Sequence, residues 1–180
     1  MSNLFEGMQM GNKKQQKAYA VIRELNICDD LSSCNPVLCG TLPIGIDILG
    51  SDLDIVMEVQ DLDYFEERLQ ILYHSKGNFK LKRTTIRGNP VVKANFFFRN
   101  FEFELFGQSQ PVLKQNAYLH MLIEHKLLEK RPNLKEKVIN LKKQGYKTEP
   151  AFCTLLGIPG DPYEGLIQYG IKEGIITEVV

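Results

Sequence analysis

Residues 79–106 constrain the fold more than any other stretch. Three segments rich in β-branched and aromatic residues, Phe79 to Ile86, Pro90 to Arg99 and Phe101 to Phe106, are separated only by Arg87-Gly88-Asn89 and by Arg99-Asn100. Parallel strands need crossovers of a dozen or more residues, so connections this short predict consecutive antiparallel neighbours. Such a sheet must bury a face, and the flanking sequence supplies amphipathic helices to cover it. Residues 12–26 carry Ala18, Ile22 and Leu25 behind Asn12 as a candidate N-cap, and residues 61–74 carry Leu62, Phe65, Leu69 and Leu72 at three- and four-residue spacing. Further on, Ala117, Leu119, Ile123 and Leu127 predict a helix over 112–130, and residues 132–143 continue as a second. Asp161-Pro162-Tyr163-Glu164 places an N-cap, a first-turn proline and a third-position carboxylate in line, predicting a short helix to about Tyr169. Two more strands are expected, Val37 to Cys39 after the Asn35-Pro36 break, and Leu53 to Val59. The fold class expected is α+β, with one mixed sheet containing antiparallel strands and covered by helices.

A chain of 180 residues, 43% of them hydrophobic, can bury one sizeable core and is short for two ordinary domains. With no repeat, low-complexity tract or linker, one domain over 1–180 is expected, its core about 12–130 and a helical C-terminal segment about 131–180. Twenty-two Lys and Arg balance twenty-two Asp and Glu, so no global basic field advertises an extended nucleic-acid surface. No apolar run approaches the ~20 residues of a membrane span, and the N-terminus lacks a secretory pattern, so a cytoplasmic protein without a membrane partner is expected. Cys28, Cys34, Cys39 and Cys153 show no CxxC spacing and read as reduced thiols in or near the core.

The chemistry is concentrated in residues 40–54, a glycine-punctuated turn ending in Ser51-Asp52-Leu53-Asp54. Two aspartates two apart at the start of a strand share a face, where their mutual repulsion favours a compensating cation. Oxygen ligands without His or thiolate select Mg²⁺ or Mn²⁺, ions that work with phosphates. Gly40 lets a phosphate approach the backbone, and Thr41 offers a hydroxyl and an N–H. A second acidic pair, Glu102 and Glu104, shares one face of the last antiparallel strand. Beside the aspartates, one of these glutamates would complete a three-carboxylate site able to hold two metal ions ~3.5 to 4 Å apart.

Gly40-Thr41, a following glycine and Ser51-Asp52-Leu53-Asp54 resemble the signature of the nucleotidyltransferase superfamily, which includes the polymerase β fold. Taken with residues 40–47, Phe103-Glu104-Leu105-Phe106-Gly107-Gln108 and Gln115-Asn116-Ala117-Tyr118, the chain is most similar to a small uncharacterised bacterial branch, a domain of unknown function. The resemblance implies a mixed-sheet core and a metal-dependent nucleotidyltransferase. Such an enzyme transfers a nucleoside monophosphate from a nucleoside triphosphate to a hydroxyl acceptor that the sequence does not name. Asp52, Asp54 and Glu104 would be the catalytic, metal-binding acids, with Glu104 also activating the acceptor hydroxyl; Gly40, Thr41 and Ser51 would bind phosphate. Minimal members commonly carry arginines where Leu42 and Ile44 stand here, so triphosphate charge must be met elsewhere, with Lys82, Arg83, Arg87 and Lys93 as candidates. The alternative implied by those missing arginines is a non-catalytic member that binds a nucleotide or a protein.

Alternation cannot separate Glu102 from Glu104. If the two acidic strands were antiparallel neighbours, Glu104 would be nearer the aspartates by about 7 Å, and the resemblance also places the acid there. Plainer readings accompany the other polar residues. His120 and Glu124, four apart, read as a surface pair or a remote support; Asn116 and Tyr118 as a helix start and a core edge; Asp47 as a loop cap. Phe96-Phe97-Phe98 reads as core on alternate faces of the sheet.

Overall fold

The computed structural model describes residues 3–177. Helices α1 (Asn3–Gly7), α2 (Lys13–Glu24) and α3 (Ile27–Asp30) precede strand β1 (Val37–Cys39). Strand β2 (Leu53–Glu58), helix α4 (Leu62–Tyr73) and strands β3 (Gly77–Ile86), β4 (Asn89–Phe98) and β5 (Phe101–Gln108) follow. The chain continues through α5 (Asn116–Lys130), α6 (Leu134–Lys143), α7 (Thr148–Leu156) and α8 (Pro162–Lys172). The expected caps at Asn12 and Asp161 form, and a third forms at Asp61. Asn12 accepts from the backbone N–H groups of Lys14 and Gln15 in a reciprocal capping box, Asp61 caps α4, and Asp161 caps α8 with Pro162 in the first turn.

One five-stranded sheet, in the order β1-β2-β5-β4-β3, organises the molecule. The meander β3-β4-β5 is antiparallel, as the short connections require. The pairing of β2 with β5 is parallel, with Asp54 opposite Glu104. That corrects the antiparallel relation on which the choice of Glu104 by strand position rested. Since the chain leaves β2 through α4 and two further strands before β5, the crossover has ample length to bring β5 in beside β2 in the same direction.

Alternation splits the buried side chains into two clusters. Leu38, Leu53, Ile55, Met57, Ala94, Phe96, Phe103 and Leu105 face α2 and α4, while Cys39 and Val56 face the C-terminal helices. Gly107 serves the first face, because a Cβ there would run into Phe65 of α4. Within that core Phe96 stacks between Tyr73 and Phe103, with centroids 4.9 and 5.2 Å away. Phe97 departs from the core expectation: its parity turns it to the face opposite Phe96, where it is 43% exposed.

Four further differences have local causes. The helix expected over 112–130 is broken at Gln115, which is extended and joins a 3-10 turn (Val112–Lys114) to α5. α7 was not foreseen because it is only nine residues long, contains Pro150, and carries its apolar residues as a C-terminal run instead of at helical spacing. α8 runs past Tyr169 to Lys172, and the short helices α1 and α3 were not foreseen. The four cysteines are free thiols, two buried and two half-buried, and among the described residues no helix is long and apolar enough to cross a membrane.

Replacing Phe96 with Ala should therefore lower unfolding free energy by about 3–5 kcal/mol, whereas Phe97→Ser should change it by less than about 0.5 kcal/mol. Urea titration of both variants checks this. Comparable losses would mean that Phe97 is covered in solution.

Candidate active site

The site begins with a loop that has no regular structure of its own and is held from outside. Between β1 and β2, Leu42, Ile44 and Ile46 are buried apolar anchors, which is why two of them stand where arginines were expected from the family resemblance. Gln15 of α2 donates to the carbonyls of Leu42 and Pro43, and Lys142 of α6 donates to Ile46 at 2.9 Å. Lys14 ion-pairs with Asp47 at 2.7 Å, giving Asp47 a structural place in the loop. Ser51 Oγ accepts from the Ile48 N–H at 2.9 Å, leaving its own proton for another acceptor.

Gly40 adopts φ +77°, and a Cβ on it would collide with Asp54 Oδ2. Glycine is thus required twice, by the left-handed backbone and by the closeness of the carboxylate. Asp54 lies in β2 directly opposite Glu104 in β5. Burial, then Asp52, then Glu104, push the Asp54 carboxyl up to about 7. Glu104 is not free: Lys93 of β4 approaches its Oε2 to 2.7 Å, and Asn95 Nδ2 lies at 3.4 Å. Among the described residues, no three His, Cys, Asp or Glu side chains are grouped closely enough to ligate one ion. The donor chemistry suits a hard cation nonetheless, because Asp52, Glu104 and Glu149 all act on the Asp54 carboxylate and, among the described residues, Lys93 offsets them.

Two clefts meet at Asp54. The first, about 450 Å³, contains Gly40, Thr41, Ser51 and Asp52. Its far wall comes from α5 and the α6–α7 segment, including His120, Glu124, Lys142, Tyr146, Lys147 and Glu149. The second, about 460 Å³, lies on the Glu104 side, between the end of the sheet and the start of α5.

The four proposed phosphate cations fall elsewhere. Lys93 is occupied with Glu104, and Lys82 pairs across from Lys93 on the outer strand. Arg83 points to the opposite face of the sheet, bonded to Asp63 and close to Glu66 of α4, because its strand parity differs by one from that of Lys82. Arg87, in the β3–β4 turn, lines the second cleft. None of the four lines the cleft of Gly40 and Thr41. The cations that do are Lys142 and Lys147, which the sequence reading missed.

His120 and Glu124 are likewise not a surface pair. Both are buried, at 5% and 3% exposure. His120 Nε2 lies 2.9 Å from the Tyr163 carbonyl and its Nδ1 3.4 Å from Glu149. With Nε2–H donating to the carbonyl, the pair with Glu149 forms when Nδ1 also carries a proton. Burial, reinforced by Glu149, drives the Glu124 carboxyl well upward, and burial lowers Lys142. Glu149 is pushed up by burial but ends below its ordinary value through His120, its own backbone N–H and Lys142. A signal existed in the sequence: Ala117, His120, Met121 and Glu124 follow the i, i+3, i+4, i+7 stripe of one helix face, and two ionisable groups on such a stripe mark a polar cavity.

The mixed sheet and its covering helices match those of nucleotidyltransferase-like structures. The chain belongs to the family described as Domain of unknown function (DUF4269), whose model matches residues 20–169. Among solved structures it is similar to the Cid1 poly(U) polymerase bound to MgGTP, at 18% identity and TM-score 0.55, covering 77% of this chain and 45% of that one. A cytoplasmic RNA terminal U-transferase matches at 20% identity and TM-score 0.53, over 77% of this chain and 43% of that one. The GLD-2/RNP-8 complex matches at 12% identity and TM-score 0.58, over 98% of this chain and 73% of that one. The chain thus spans less than half the length of the first two, and the likeness is one of fold. No curated protein matches it closely enough to be a relative.

Asp54 yields a pH prediction. Its folded-state value of about 7 exceeds the ordinary 3.8, so the folded protein binds this proton more tightly than the unfolded chain. The stability contributed by the neutral carboxyl is therefore lost as pH rises from about 4 to 7. Asp54→Asn keeps the shape without the charge and should unfold about 1–3 kcal/mol later than the wild type at pH 8, with no difference at pH 4. Equal urea midpoints at pH 8 would show that the carboxylate is solvated.

Proposed function

We propose that this protein is a metal-dependent nucleotidyltransferase. The observation that carries the reading is the position of Asp54 where two clefts meet, in a crowd of carboxylates. The nucleoside triphosphate occupies the first cleft, its phosphates against the Gly40-Thr41 turn and the Ser51 hydroxyl. Lys142 and Lys147 supply positive charge from the opposite wall, in place of the arginines absent at 42 and 44. Asp52, Asp54 and Glu104 are the residues that would hold Mg²⁺ or Mn²⁺, which would neutralise phosphate charge and orient the α-phosphate.

The acceptor hydroxyl approaches from the second cleft. Its oxygen forms a bond to the α-phosphorus, the bond from that phosphorus to the bridging oxygen of the β-phosphate breaks, and pyrophosphate leaves with the electron pair. The hydroxyl proton passes to Glu104, whose carboxylate Lys93 holds in place. Most of the rate acceleration would come from positioning and charge neutralisation. The poly(U) polymerase structures support nucleotide use in this fold, since they contain MgGTP or a UTP analogue.

A second reading, a non-catalytic nucleotide-binding protein, is favoured by the Lys93–Glu104 ion pair, an internal counterion where a metal ligand is expected. Calorimetric titration of nucleoside triphosphates with and without Mg²⁺ separates the two. Metal-dependent binding is the expected outcome, and metal-independent binding supports the second reading.

Within the first reading, Asp52→Asn, Asp54→Asn and Glu104→Gln should each reduce turnover at least about 100-fold, or about 2.7 kcal/mol, with the fold retained by circular dichroism. Glu102→Gln should retain most of the activity. The reverse order for the two glutamates would exclude the register assigned here to the metal site.

Gly40→Ala should weaken nucleotide binding more than Cys39→Ala does, the latter acting on stability because Cys39 is buried behind the turn. Equal affinity losses at matched folding would remove the phosphate role of the turn.

A further inference from the structure

The second cleft carries information about the acceptor. Its floor is the C-terminal end of the sheet, with Val56 and Phe106, and its wall is the segment leading into α5. At about 460 Å³ it has the size of a small-molecule site. Its polar lining combines five carboxamides, Gln108, Gln110, Gln115, Asn116 and Asn89, with Arg87 and the carboxylates of Asp54 and Glu104. Two of these are buried side chains, Gln108 at 8% and Gln115 at 1% exposure.

Gln115 is the most informative. Its Nε2 donates to the carbonyls of Met57, at 3.0 Å, and Gln110, at 2.8 Å. Two carbonyl partners settle which end of the amide is nitrogen. Its Oε1 is buried and has no hydrogen-bond partner among the described residues. A buried acceptor without a donor costs on the order of 1–3 kcal/mol, so its retention at the lining of a cleft calls for a donor brought by a ligand. A hydroxyl supplies that donor. Carboxamides each present a donor and an acceptor, as vicinal hydroxyls do, and Phe106 and Val56 offer apolar surface to the C–H face of a ring.

Resting on the nucleotidyltransferase reading, we propose that the acceptor is a small polyhydroxylated molecule, a monosaccharide or cyclic polyol, bound in this cleft with one hydroxyl turned to Asp54 and Glu104. The transfer joins that hydroxyl oxygen to the α-phosphorus with release of pyrophosphate, as above. A polynucleotide end is disfavoured as the acceptor because Arg87 is the one cation in the lining of this cleft among the described residues, while Lys93 is engaged with Glu104 and Arg83 with α4.

The test uses the full chain without metal or nucleotide, so that it does not depend on catalysis. Saturation-transfer NMR with D-glucose, D-ribose and myo-inositol as probes should show contact with at least one of them. The signal should fall at least fivefold in Gln115→Leu. Asn116→Ala, at a half-buried position outside the amide network, should also reduce it if the leucine variant does not fold. Absence of transfer to all three probes, or binding of a twelve-residue oligoadenylate in their place, overturns the proposal. A parallel titration with ATP and Mg²⁺ distinguishes the two failures. Polyol contact without nucleotide binding refutes the nucleotidyltransferase reading and leaves the cleft assignment standing, whereas nucleotide binding without polyol contact refutes only the acceptor.

Discussion

The parallel pairing of β2 with β5 is the contact on which the rest of the molecule depends. It sets Asp54 opposite Glu104 and, by the same register, Leu53 opposite Phe103 and Ile55 opposite Leu105. Adjacent parallel strands lie ~4.8 Å apart, so the register brings two carboxylates together on one face while it joins four apolar side chains on the other. The repulsion on the first face is tolerated because burial on the second is large, and because Lys93 on β4 reaches across to Glu104. A slip of one residue would turn the apolar set to the site face and the acids into the core against α2 and α4. The hydrophobic pattern therefore enforces the geometry of the acids.

The loop over 40–51 shows a second form of dependence. Its backbone has no ladder partners, and its carbonyls are taken up by side chains from α2 and α6: Gln15, Lys14 and Lys142. Apolar anchoring at Leu42, Ile44 and Ile46 excludes cations from those positions, and positive charge enters the cleft from the α6–α7 segment instead. Lys142 belongs to both systems, holding the Ile46 carbonyl while lining the cleft near Glu124. The C-terminal helices are consequently part of the site: they provide its far wall, its cations and the pair of buried His120 with half-buried Glu149.

Local signals in the sequence determined a large part of this structure. Asn12, Asp61 and Asp161 carry their caps in adjacent residues, the short links at 87–89 and 99–100 leave the meander no other pairing, and Gly40, Asp52 and Asp54 announce a polar strand mouth through spacing alone. Such features are legible because the interaction that decides each one is made within a few residues. The relation of β2 to β5 is of another kind, since a long crossover permits either direction; only packing of α4 against the sheet selects the parallel one. Strand parity assigns Lys82 and Arg83 to opposite faces, but which face holds the acids depends on β2, twenty-five or more residues upstream. His120 and Glu124 share one stripe of α5, but only the docking of α6, α7 and α8 on α5 buries them with Lys142 around one cleft. Tertiary structure decided these because burial and charge proximity are sums over distant segments, and no local pattern contains them.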